Sequence, residues 1–107
     1  MTAEQLPDDP IPALIEGAFH AMRRQPTRER LIEIEEGLRK EIERLQVIAR
    51  AMAEHRQVRC RGWYALVNAA DTADDALSFQ NREGFAGALN VAELARRVLE
   101  LRQVTES

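Results

Sequence analysis

The sequence predicts an all-α protein: a single-domain antiparallel four-helix bundle with a long second helix. Three observations predict it. Residues 28–56 run 29 positions with no proline and one glycine, and Leu31, Leu38, Leu45 and Met52 recur every seven residues with Ile34, Ile42 and Ile48 at the half-steps. This alternation of threes and fours holds one stripe of a helix against partner helices. Only five of the 107 residues are aromatic, so the core must come mainly from Leu, Ile, Val and Ala, which suit helix packing better than a β-sandwich. Finally, four segments keep a helical period, and none alternates with the β period for more than a few residues.

A chain of 107 residues has room for one domain and one core. Residues 1–9 are expected to be disordered apart from local turns, 10–104 to form the bundle, and 105–107 to be a tail. Asp9 and Pro10 make a good helix start, a capping carboxylate followed by a proline at the first helical position. Ile11, Leu14, Ile15, Ala18, Phe19 and Met22 then mark one face as far as about Arg24. Gln25-Pro26-Thr27 breaks this helix, and Thr27 is placed to cap the next. The second helix, roughly 28–56, is about 40 Å long at 1.5 Å per residue. Glu35 with Arg39 and Glu36 with Lys40 are i,i+4 pairs in the favourable order. Gly37, away from the main stripe, marks a kink or a close contact.

Residues 57–62 read as a connection, with continuous helix as the alternative. Trp63, Leu66, Val67, Ala70, Ala73 and Leu77 form the third stripe, and Ser78–Asn81 the next connection. The fourth helix, about Arg82–Gln103, is apolar on two sides. Phe85, Ala88, Leu89, Ala92 and Leu99 make one stripe; Gly87, Val91, Leu94, Val98 and Leu101 make another. Such a helix either lies at the centre of the fold or turns its second stripe to another chain. The expectation is the latter: Val91, Leu94, Val98 and Leu101 as a partner interface, in a homodimer.

Charge and composition narrow the function classes. Net charge is −3, with fourteen arginines to one lysine, which is not the basic balance of a nucleic-acid binder. The first ten residues are too polar for a signal peptide, and no apolar run approaches the roughly 20 residues that span a bilayer. Cys60 is the single cysteine and has no internal disulfide partner, which fits a reducing compartment. A cytoplasmic protein without a membrane segment is therefore expected.

Few residues suggest chemistry. Glu33-x-x-Glu36 followed by Asp71-x-x-Asp74 resembles the acidic spacing of all-helical nucleotide pyrophosphatases of the MazG type, which hold Mg²⁺. Glu33 and Glu36, however, project away from the apolar stripe, and a hard cation needs several convergent oxygens. Glu41 and Asp74 fall within or beside apolar stripes and are the candidate buried acids, to be paired or shifted in pKa. Arg56, Arg59 and Arg61, with His55, could contact an anion at the start of the third helix. His20 is expected to be exposed. No nucleophile triad, zinc set or cofactor motif is legible.

The short helix Ile11–Arg24, the run Leu38-Arg39-Lys40-Glu41-Ile42-Glu43-Arg44-Leu45, the start Arg61-Gly62-Trp63 and the segment Ala88–Leu99 together resemble a small all-helical family of Streptomyces and related actinobacteria. The resemblance covers about 10–104, with Lys40-Glu41 where the family often has Gly-His. It implies a cytoplasmic actinobacterial origin and brings no activity with it. The expected role is a non-enzymatic protein–protein interaction or regulatory module. A nucleic-acid-associated regulator and a metal-dependent nucleotide hydrolase are the alternatives.

Overall fold

The structure is a computed structural model and describes residues 9–79 and 84–106. Four helices make up the described chain: α1 (Ile11–Arg24), α2 (Arg28–Glu54), α3 (Arg61–Leu77) and α4 (Gly84–Thr105). The segment expected to be disordered lies outside the described residues except for Asp9, whose carboxylate accepts the Ile11 N–H at 3.0 Å. Pro10 stands one place earlier than expected, at the cap, where its carbonyl takes the Leu14 N–H at 3.1 Å. α1 stops where Gln25 turns left-handed at φ 47° and donates its N–H to the Ala21 carbonyl.

Thr27 caps α2 as expected, its hydroxyl accepting the Arg30 N–H at 3.1 Å. This satisfies one of the N–H groups that a helix start leaves without an internal partner. α2 ends at Glu54, and 55–60 form the connection. The next helix begins at Arg61, two residues before the expected Trp63 stripe. Cys60 is its cap, with the Trp63 N–H 3.4 Å from the sulfur. Asn81, at the end of the expected connection, lies outside the described residues. α4 continues through Thr105.

α2 and α4 pack together as the short diagonal of a rhombus, with α1 and α3 flanking both. Among the described residues α1 and α3 do not touch each other. Leu38 and Ile42 of α2 meet Leu94, Val98 and Leu101 of α4 in a fully buried centre. Alanines line the flanking seams: Ala18 and Ala21 on α1, Ala69, Ala70, Ala73 and Ala76 on α3, and Ala88, Ala92 and Ala95 on α4. Side chains this short let helices approach closely, so a chain poor in aromatics still closes its core. Gly37 makes the close contact raised from sequence: a Cβ there would come within 2.5 Å of Leu14 Cδ1.

Two expected facings change. The buried side of α3 is turned toward Ala69 and Ala76, which brings Asp74 out to the edge. On α4 the stripes exchange roles. Val91, Leu94, Val98 and Leu101, expected at a partner interface, are buried within the single chain, whereas Phe85, Leu89 and Leu99 face outward. The reason is packing: α4 touches all three other helices and must bury a wide arc. Its uninterrupted β-branched and leucine side fills that arc best.

Leu38→Asp is expected to unfold the domain, because an unpaired charge in the fully buried centre costs several kcal/mol against a total of roughly 5–15. Glu36→Ala, on the exposed side of α2, is expected to leave the melting temperature nearly unchanged. Thermal unfolding followed by circular dichroism checks both.

Candidate interaction surface

Polar side chains join the helices at three places. Glu41 is buried, as its position within the stripe implied, and is paired. Arg44 grips its carboxylate with two bonds of 2.9 and 2.7 Å, and Arg102 of α4 adds two more at 3.2 and 3.0 Å. Arg102 also reaches Asp9 at 3.0 and 3.3 Å. One guanidinium therefore ties the entry of α1, the middle of α2 and the end of α4. The Arg44 hydrogen bonds hold the Glu41 carboxyl below the usual range despite its burial. Arg102 does the same for Asp9, helped by the Ile11 N–H.

Glu35 is the buried acid that sequence reasoning missed. Burial raises its pKa, opposed by an Asn90 side-chain amide that donates at 3.2 Å. Arg39 stands 3.8 Å away and spends its donors on the Leu77 and Phe79 carbonyls at 2.6 and 2.8 Å, fastening the end of α3 to α2. Asp74 is not buried, contrary to expectation; it lies at the α2–α3 rim because the buried side of α3 is centred on Leu66, Ala69, Ala73 and Ala76, with Trp63 partly buried at its margin. There it accepts from the buried Gln46 amide at 2.9 Å and from Arg50 at 2.8 Å. Gln46 also donates to the Ala70 carbonyl at 2.9 Å.

The candidate chemical residues are not drawn together. Glu33, Glu36, Asp71 and Asp74 are all exposed. Among the described residues no group of three or more His, Cys, Asp or Glu side chains is placed to hold a metal. Arg56, Arg59 and Arg61 are exposed. Of these, Arg56 lies over the first turn of α3, its Nη1 2.6 Å from where a Cβ on Gly62 would be. Arg59 takes a left-handed φ of 72°, a conformation that costs a residue with a Cβ roughly 1–2 kcal/mol. His20 is exposed.

The outward side of α1 and α4 is different. Phe19 and Met22 on α1 are 38 and 43 % exposed, and Phe85 and Leu89 on α4 are 64 and 47 % exposed. Leu14, Gly17 and Ala21 face α2. At 100° per residue Phe19 and Met22 then lie on the α4 side of α1. Met22 and Phe85 wall one cleft of about 270 Å³, floored by Ala21, Leu31 and Ala88 and closed at one end by Pro26. From Gly84 to Ala92 the helix has no charged residue. Further along, Glu93, Arg96, Arg97 and Glu100 pair among themselves at 3.2–3.4 Å. Other exposed apolar side chains, such as Val47, Val58 and Tyr64, belong to the α2–α3 end.

Sequence reasoning placed Phe85 and Leu89 inside. A signal against that was present: their row continues through Arg96 and Gln103, while the Val91–Leu101 row carries no polar residue. No family model, curated protein or solved structure matches the chain.

The carboxylate pairing implies a sign for pH. Glu41 has its folded pKa depressed, so its contribution is complete above the ordinary glutamate value of 4.5 and fades as pH falls through the lower folded value. Glu35, raised by burial, behaves oppositely: its cost is absent in acid and appears as pH rises through its folded pKa. Glu41→Gln is therefore expected to lower the melting temperature at pH 7 and to flatten its fall below about pH 4.5, while Glu35→Gln leaves that acid limb in place. Melting curves between pH 3 and 7 check this. Arg59→Gly is expected to raise stability by about 1 kcal/mol by relieving the left-handed backbone, read from chemical denaturation.

Proposed function

We propose that this protein is a non-enzymatic protein–protein interaction or regulatory module, and that it works from the outward face of α1 and α4. One observation carries the reading: Met22 and Phe85 wall one open cleft, Phe19 and Leu89 stand exposed on the same two helices, and α4 has no charged residue between Gly84 and Ala92. Single exposed apolar side chains are ordinary on any protein, whereas a contiguous group of this kind marks a contact surface. The cleft, at about 270 Å³, is below the ~300–1,000 Å³ of typical small-molecule sites and suits side chains better. It also lacks convergent titratable groups of the sort that acid–base or metal chemistry requires.

A photoreactive benzophenone amino acid in place of Phe85 or Leu89, in cells that make the protein, is expected to trap a protein adduct. The same group in place of Glu36, on the exposed side of α2, is expected to trap none. No adduct from positions 85 and 89, or equal trapping from all three, would overturn the reading.

A further inference from the structure

We infer that the groove between α1 and the first turns of α2 is a binding site for a small zwitterion, a molecule with a phosphate or carboxylate at one end and an amino group at the other. At 100° per residue Glu16, His20 and Arg24 fall on the side of α1 turned away from α4, so the groove is separate from the interaction face proposed above and does not depend on it. Its volume is about 370 Å³, inside the ~300–1,000 Å³ of small-molecule sites, which set a few placed polar groups on an apolar floor. Here Gly17 and Ile34 lie in the floor, and Glu16, His20, Arg24 and Arg30 are the polar groups.

Glu16, His20 and Arg24 follow one another at i, i+4 and i+8, so they form a row with about one helical turn, 5.4 Å, between neighbours. All three are exposed, and among the described residues none has an ion-pair or side-chain hydrogen-bond partner. Across the groove Arg30 reaches over Gly17: its Nη2 is 3.4 Å from where a Cβ on that glycine would be, and Ile34 Cδ1 is 3.3 Å from the same point. A larger side chain there would press on both. Glu33 holds Arg30 through Nη1, which leaves Nη2 toward α1. The charge is therefore two-ended, with a carboxylate at the Glu16 end, a guanidinium at the Arg24 end, and an imidazole and a second guanidinium between them. A bare anion beside Arg24 meets repulsion from Glu16, and a bare cation beside Glu16 meets it from two arginines. A zwitterion whose charged groups stand about one turn apart satisfies both ends. Its oxyanion accepts from Arg24, His20 and Arg30 Nη2, and its ammonium donates to the Glu16 carboxylate.

The test is a titration of the isotope-labelled full chain with O-phosphoethanolamine, followed by nuclear magnetic resonance. Saturable shifts are expected at Gly17, His20 and Arg24, and none at Arg59 or Arg61. Arg24→Gln and Glu16→Gln are each expected to weaken binding roughly ten-fold, the worth of one charged hydrogen bond, with the far-ultraviolet helix signal unchanged. Inorganic phosphate and ethanolamine, each with one of the two ends, are expected to bind more weakly than phosphoethanolamine. γ-Aminobutyrate in its place separates the oxyanions: the tighter binder names the head as carboxylate or phosphate. Co-sedimentation with vesicles that contain phosphatidylethanolamine, and not with pure phosphatidylcholine, assigns the head to a lipid; its absence assigns it to a free molecule. No saturable shift at millimolar concentrations of either zwitterion, or shifts centred on residues 55–61, overturns the site. Inorganic phosphate that binds as tightly as phosphoethanolamine, or binding of both zwitterions indifferent to Glu16→Gln, overturns the zwitterion assignment.

Discussion

The fold depends on the arc of α4 that has to be hidden. Gly87, Val91, Leu94, Val98 and Leu101 form an apolar row unbroken over four turns, flanked on one side by Ala88, Ala92 and Ala95. No single neighbour can cover so wide an arc, so α1, α2 and α3 all pack on α4. This explains the rhombus: α2 and α4 take the short diagonal because the widest apolar surface meets the longest helix. The arc is worth several buried Val and Leu side chains at about 1.5–3 kcal/mol each. It therefore outweighs any single polar contact in the structure.

The polar contacts decide register. Arg102 can reach both Glu41 and Asp9 only when the end of α4 lies over the middle of α2 and the start of α1. Gln46 reaches both the Ala70 carbonyl and Asp74 only at one relative position of α2 and α3, and Arg39 fixes the far end of the same pair. Seams of alanine are smooth, and smooth seams slide. Buried groups that must find a partner or forfeit their hydration penalise each slid arrangement. Directional bonds at three junctions thus complement a core that is itself weakly directional.

Helix existence and order were legible in the sequence, and so was the cap at Thr27, because each follows from local spacing and backbone chemistry. The stripe of α2 was legible for the same reason, and so was the burial of Glu41 within it. What was not legible was the facing of the two helices with more than one apolar side. On α3 the buried side is centred nearer Ala69 and Ala76 than the expected stripe, with Trp63, Val67 and Leu77 packed at its margin, because close approach to two neighbours favours small side chains. This moves Asp74 outward. On α4 both rows are apolar enough to bury, and only Arg96 and Gln103 in the Phe85 row distinguish them. Glu35 escaped notice because its burial depends on Asn90 reaching over from α4, a contact 55 residues away in sequence.

The exchange of stripes on α4 also reshapes the argument about partners. With the Val91–Leu101 row inside, the core is complete within one chain, so an assembly is not needed to hide it. What stays exposed on these two helices is smaller and more local: Phe19 and Met22 on α1, Phe85 and Leu89 on the first half of α4, and a cleft walled by Met22 and Phe85. Leu99 is also exposed, but it lies ten residues, about 15 Å, beyond Leu89 along the axis, among the paired charges. With the core closed inside one chain, this exposed group is unlike an obligate interface, which resembles a domain core cut in half.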